Sequence, residues 1–151
     1  MGDRLANLEA AMAHLGKLGS IVARSGFYET EPVDATGQPW FLNSVIAVET
    51  ELMPRQFLSR ALAIEQKLGR RRTQPKGPRT VDIDLLLFGA SVVDTPALII
   101  PHPAMHERRF VLEPLAEIAP EVRHPVFKKT VREMLNTLPP QAGAVRKFTP
   151  A

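Results

Sequence analysis

The chain has no cysteine among its 151 residues. Disulfides and thiolate metal centres are therefore excluded, and a reducing, cytoplasmic setting is expected. Aromatic residues are few, with a single Trp and a single Tyr. None stands among the arginines of the basic stretch 69–79, which weighs against a platform for nucleic acid. No apolar run approaches the length of a bilayer span and no signal-type segment opens the sequence, so no membrane association is expected. The phosphate motifs GxxxxGK[ST] and GxGxxG are missing, which argues against a P-loop or Rossmann protein. His106-Glu-Arg-Arg-Phe110 is only half of HExxH. Phe110 stands where a zincin needs its second histidine, so that reading fails too.

What is present describes one ordinary globular domain. Apolar residues make up 44% of the chain and charged residues 23%, enough for a real hydrophobic core. The net charge of +3 favours anionic ligands without choosing among them. Fourteen prolines fall mostly in connections and the tail, which predicts rigid loops.

Hydrophobic spacing predicts the elements. Leu5, Leu8, Met12 and Leu15 mark an amphipathic helix, with Asp3 as N-cap and Gly16 or Gly19 as its stop. Strands are expected over 21–30 and 41–50, separated by a loop at 31–39. Pro54 opens a second helix through Leu68, with Phe57, Leu58, Ala61, Ile64 and Leu68 inward. A strand over 80–89, a hairpin around Asp94–Pro96, a helix within 105–119 interrupted or shifted by Pro114, and a short helix over 130–138 follow. The tail after Pro139 is expected to be extended. The pattern is that of an α+β domain on an antiparallel sheet, spanning 1–151 without a linker.

Two features carry chemistry. In TVDIDLLLFG, Asp82 and Asp84 alternate with Val81, Ile83 and Leu85. On a strand the two carboxylates share a face, about 7 Å apart, while the apolar residues face a core. Such a pair is costly unless a cation lies between its members. The preceding segment holds Arg70, Arg71, Arg72, Lys76 and Arg79 and no acid. Alone, that run is a solvated face, and carboxylates beside arginines can be a salt-bridge network. Together they suit a nucleotide polyphosphate: Mg²⁺ on the aspartates, bidentate arginines on the phosphates. Phe41 and Asn43 share a strand face and, with Phe110, form the second feature. A ring to stack on and an amide edge to read would suit a flat heterocycle, although a lone Phe41 is more often core.

FLNSVIAVET, the LGRRR…GPRTVDIDLLLFG block and IPHPAMHERRFVLEPLAEIAP together resemble the 6-hydroxymethyl-7,8-dihydropterin pyrophosphokinases of folate biosynthesis. The resemblance runs from Gly2 to about Pro125. It implies a ferredoxin-like α/β sandwich that transfers the diphosphate of ATP to the pterin hydroxymethyl group and releases AMP. It implies two Mg²⁺ ions on Asp82 and Asp84. Phosphate contacts fall on Arg70, Arg72 and Arg79 of a mobile loop and on His102 and Arg108, with Glu65 on the nucleotide side. Phe41 and Phe110 would sandwich the pterin, Asn43 would read its edge, and backbone around Thr30 to Val33 would touch it. The partners are then two small molecules, ATP and the pterin, and the chain a cytoplasmic monomer.

Three departures accompany the resemblance. The family opens with a strand and a glycine–serine–asparagine turn ahead of the segment that here reads GDRLANLEAA. Their absence predicts flanking backbone without a partner, and either Met1 as an internal methionine or the chain as a truncated form. Lys76 replaces a tryptophan and Pro103 a tyrosine found in many members. The alternative to an active enzyme is a truncated or catalytically silent relative that binds nucleotide or a partner.

Overall fold

The computed structural model describes residues 4–30, 40–69, 81–139 and 145–148. Asp3 and Lys76 lie outside them. The first apolar stripe forms α1 (Arg4–Leu15), which buries Ala11, Met12 and Leu15. A 3-10 turn over Gly16–Leu18 follows. At Gly19 the chain passes so close to the next strand pair that a Cβ would lie 2.0 Å from the Glu49 carbonyl oxygen, so only glycine fits.

Each of the two long strands expected over 21–30 and 41–50 is broken in its middle. The result is β1 (Ser20–Arg24), β2 (Phe27–Thr30), β3 (Phe41–Asn43) and β4 (Ile46–Glu49). The breaks clasp each other. The Ser25 N–H donates to the Val45 carbonyl at 2.8 Å, and the Val45 N–H donates to the Ser25 hydroxyl at 2.9 Å. A hydroxyl replaces a backbone partner there, so the ladder stops and resumes as antiparallel β1–β4 and β2–β3. The tail does more than extend. β7 (Val145–Phe148) pairs antiparallel with the free edge of β2, giving the order β3-β2-β7.

Pro54 begins α2 (Pro54–Gly69), where its missing N–H costs nothing. Phe57, Ala61, Ile64 and Leu68 are buried as expected, whereas Leu58 is half-buried and lines a cleft. β5 (Val93–Asp94) and β6 (Ile99–Ile100) form the expected hairpin, closed by reciprocal backbone bonds between Thr95 and Leu98. A 3-10 turn over Met105–Glu107 leads into α3 (Arg109–Ile118). The interruption falls at Arg108, whose backbone is extended, and not at Pro114, which lies inside α3 with its ring fully buried. There Pro forgoes one helical hydrogen bond. α4 (Val131–Asn136) starts from a capping box between Thr130 and Glu133.

The expected strand over 80–89 is not a ladder member. Residues 81–88 pair with no strand among the described residues. Their backbone groups find single partners: the Ile83 N–H donates to the Glu65 carboxylate, and the Leu86 carbonyl accepts from the His102 N–H at 2.9 Å. Burial still alternates through the first half, with Val81 buried, Ile83 and Leu85 half-buried, and Asp82 and Asp84 exposed.

This segment lies between two cores. Ile83, Leu85 and Phe88 pack with Ala11, Leu15, Phe57 and Ile64 of α1 and α2. Leu86 and Leu87 pack with Met105, Leu112, Val131 and Met134 of the α3–α4 side. The architecture is α+β with antiparallel pairing, as expected, and has helices on both sides of the extended segments. No described helix is long and apolar enough to cross a membrane.

Candidate active site

Alternation fixes the direction of the carboxylates. Ile83 and Leu85 turn to the α1–α2 core and Leu86 turns to the α3–α4 core. Asp82 and Asp84 alternate with Ile83 and Leu85 and stand exposed to solvent. The peptide between them is held from behind by Glu65 of α2, whose carboxylate accepts the Ile83 N–H. Glu65, expected on the nucleotide side, thus reaches the backbone of the aspartate pair.

Asp84 and His102 line one cleft of about 270 Å³. Its other walls include Leu58 of α2, Ile83, Leu85 and the turn from Pro96 to Ile99. The Nδ1 of His102 accepts the Ala104 N–H at 3.2 Å, which leaves the ring proton on Nε2. An apolar slot ending at a carboxylate and an imidazole can seat a flat base and hold an anionic tail at its mouth.

The second feature is assembled by strand register. Thr30 of β2 stands opposite Phe41 of β3, and Tyr28 stands opposite Asn43. Opposed residues and residues two apart share a face, so all four side chains lie on one face of the sheet. Thr30 was expected to offer only backbone, but its hydroxyl accepts a hydrogen bond from the Asn43 amide nitrogen at 2.6 Å. Phe41 is 55% exposed, so it is not a core residue. The intervening Glu29 faces the other way. It pairs with Arg4 of α1 and Arg146 of β7, each at 2.9 Å, and the Arg4 hydrogen bond holds its carboxyl below the usual range.

The helix on the Phe41 face is α3: the Tyr28 hydroxyl donates to Glu117 near its end. The other end of α3 begins at Arg108, whose guanidinium lies 5.4 Å over the Phe110 ring. A cation suited to phosphate and a ring suited to stacking are therefore adjacent. Val33, Arg70, Arg72 and Arg79 lie outside the described residues. Tyr28, Glu117 and the Thr30 hydroxyl escaped the sequence reading. Tyr28 stands two before Thr30, and Glu117 seven after Phe110. Both spacings put them on the relevant faces.

The donor set bears on a metal. Among the described residues no three His, Asp or Glu side chains gather as a ligand cage. Two exposed carboxylates, with no third protein ligand among the described residues, suit Mg²⁺, which keeps waters and shares phosphate oxygens, better than a structural zinc.

A cleft that joins Asp84 to His102, and an Arg108 set against the Phe110 ring, are features that a nucleotide-dependent transferase could use. Residues 1–120 match the family model described as 7,8-dihydro-6-hydroxymethylpterin-pyrophosphokinase (HPPK). The 2-amino-4-hydroxy-6-hydroxymethyldihydropteridine pyrophosphokinase of Methylorubrum extorquens is 45% identical over 142 residues, covering 93% of this chain and 89% of the relative. The Bacillus subtilis protein of the same name is 44% identical over 124 residues, covering 81% and 74%. The folic acid synthesis protein fol1 of Schizosaccharomyces pombe is 38% identical over 143 residues, covering 93% of this chain but 20% of the relative. The chain belongs to the 7,8-dihydro-6-hydroxymethylpterin-pyrophosphokinase family, the ATP-dependent pyrophosphokinases of folate biosynthesis.

Proposed function

We propose that this chain transfers the terminal diphosphate of ATP to the hydroxymethyl oxygen of 6-hydroxymethyl-7,8-dihydropterin and releases AMP. The observation that carries this reading is the register that sets Thr30, Phe41 and Asn43 on the same face as Tyr28, which α3 meets through Glu117, with Arg108 against Phe110 at the start of that helix. The pterin stacks between Phe41 and Phe110. Asn43 pairs with its edge, its amide steered by Thr30. Adenine enters the slot beside Leu58 and the Pro96–Ile99 turn, which leads the triphosphate past Asp84 and His102.

Two Mg²⁺ ions held by Asp82 and Asp84 would supply charge neutralisation across the triphosphate. The chain's own residues do the rest. Arg108 and His102 donate to phosphate oxygens, and Arg70, Arg72 and Arg79 are assigned the same task. The new bond joins the pterin oxygen to the β-phosphorus. The bond from the β-phosphorus to the bridging oxygen of the α-phosphate breaks, and AMP leaves with that oxygen. The hydroxyl proton passes to solvent, and no side chain is required as a general base. In-line positioning and exclusion of water supply most of the acceleration. The reading takes the working form as a monomer in the cytoplasm.

The test is AMP formation from ATP with Mg²⁺, with and without the pterin. Pterin-dependent AMP supports the reading. The absence of a ladder partner for 81–88 among the described residues favours a second reading, a silent relative. That reading predicts binding of a non-hydrolysable Mg·ATP analogue with no AMP formed.

A further inference from the structure

The position of Phe110 depends on α3, and α3 is tied to the sheet at its far end. Glu117 stands seven residues after Phe110 on α3, two turns along the same stripe of the helix. Its carboxylate accepts the Tyr28 hydroxyl at 2.6 Å and the Gly26 N–H at 3.0 Å. Gly26 is at the break between β1 and β2, where no ladder partner competes for that N–H. Tyr28 is buried, with 8% of its surface exposed, and stands directly opposite Asn43 in the β2–β3 register. Lys147 of β7 stands opposite Tyr28 on its other side and adds a favourable charge near Glu117. The same carboxylate thus grips a side chain of β2 and the backbone N–H just before that strand, which pairs with the strand of Phe41 and Asn43.

We infer that Glu117, through Tyr28 and Gly26, is a positioning residue that sets the gap between Phe110 on α3 and Phe41 on β3, and so tunes pterin binding. This rests on the reading that the pterin stacks between those rings. The latch touches neither ring. It acts by fixing the helix that carries one against the strand pair that carries the other. Its electrostatics agree with its geometry. Burial, then the Glu117 hydrogen bond and charge, push the Tyr28 phenol up to about 12, while the Tyr28 hydrogen bond holds the Glu117 carboxyl below its usual range.

The experiment measures the pterin KM, kcat and binding of a non-hydrolysable Mg·ATP analogue for Tyr28→Phe, Glu117→Gln, Glu117→Ala, Phe110→Ala and the Phe110→Ala/Glu117→Ala pair. The expected result for Tyr28→Phe and Glu117→Ala is a pterin KM raised about 3- to 10-fold, the usual range for one lost hydrogen bond. Analogue binding stays within about twofold, and Glu117→Gln, which keeps an acceptor, falls between. In the Phe110→Ala background the Glu117→Ala effect should shrink towards none, because both changes act through one ring. Tyr28 is the only tyrosine in the chain, so its ultraviolet titration reads the latch alone, and Glu117→Gln should lower that midpoint. If Phe110→Ala leaves pterin binding intact, the stacking reading fails and the inference with it. If Phe110→Ala weakens pterin binding but Glu117→Ala does not, the inference alone fails. Equal loss of pterin and analogue binding in Glu117→Ala would make Glu117 merely structural and would also overturn it.

Discussion

The carboxylate of Glu65 on α2 accepts the backbone N–H of Ile83, the residue between Asp82 and Asp84. Segment 81–88 has no ladder among the described residues, so this bond does for the aspartate pair what a neighbouring strand does elsewhere. Glu65→Ala should raise the Mg²⁺ needed for half-maximal AMP formation by about 10- to 100-fold, the usual cost of losing support behind metal ligands. Glu65→Gln, which retains an acceptor, should cost less. An unchanged Mg²⁺ titration for Glu65→Ala would refute this role.

The aspartates themselves should matter more. Asp84 faces the cleft that also holds His102. Asp82→Asn and Asp84→Asn should each reduce AMP formation on the order of 10²- to 10³-fold, since several kcal/mol of charge stabilisation is at stake. Glu107→Gln, an exposed acid on the 3-10 turn, should change it by less than about twofold. Rates measured at saturating ATP and pterin decide the matter.

Thr30 and Asn43 form a smaller unit. The Thr30 hydroxyl takes one amide hydrogen of Asn43 at 2.6 Å, which fixes the amide's orientation. Thr30→Val keeps the shape and removes the acceptor. The pterin KM should rise about tenfold with little change in kcat, and Thr30→Ser should restore it. A Thr30→Val enzyme with normal KM would show that the amide orients itself.

His124 gives the fold a pH dependence. It is 3% exposed, its Nδ1 accepts the Val126 and Phe127 N–H groups at 3.2 and 3.1 Å, and its ring stacks on Phe127. Burial, with a smaller push from His106, holds its ionisation below the ordinary value. The unfolded chain therefore binds the proton first, at about pH 6.5. His124 contributes its full stability above that pH, and the contribution falls as pH drops through that value towards the lower folded one. Denaturant melts should show this loss setting in as pH falls below about 6.5, the ordinary histidine value. His124→Asn, which keeps an acceptor but does not titrate, should flatten it.

The α3–α4 core sets stability. Leu112 has no exposed surface and packs with Met105, Val131 and Met134. Leu112→Ala should cost about 3 kcal/mol. Thr130→Ala, which removes the hydroxyl of the α4 capping box, should cost about 1 kcal/mol. Leu62→Ala on α2, at a position 49% exposed, should stay within about 0.5 kcal/mol. Urea denaturation separates the three.

By itself the sequence determined whatever depends on neighbours close in the chain. The 3- and 4-residue spacing of Leu5, Leu8, Met12 and Leu15 was enough for α1. Pro54 marked the start of α2, and the alternation of Val81 to Leu85 put Asp82 and Asp84 on a common exposed side. Three blocks of side chains in fixed order were enough for the family. Tertiary structure alone decided which distant groups serve one another. The strand breaks at Ser25 and Val45 exist because each supplies the other's hydrogen bonds across 20 residues. Segment 81–88 reads as a strand but has no ladder among the described residues, because a ladder requires a second backbone and not a propensity. Glu65 and Glu117 look alike in the sequence, two acids on helices. One ends at the backbone between the aspartates and the other at Tyr28 and Gly26, and only the packing of α2 and α3 against the sheet could assign those partners.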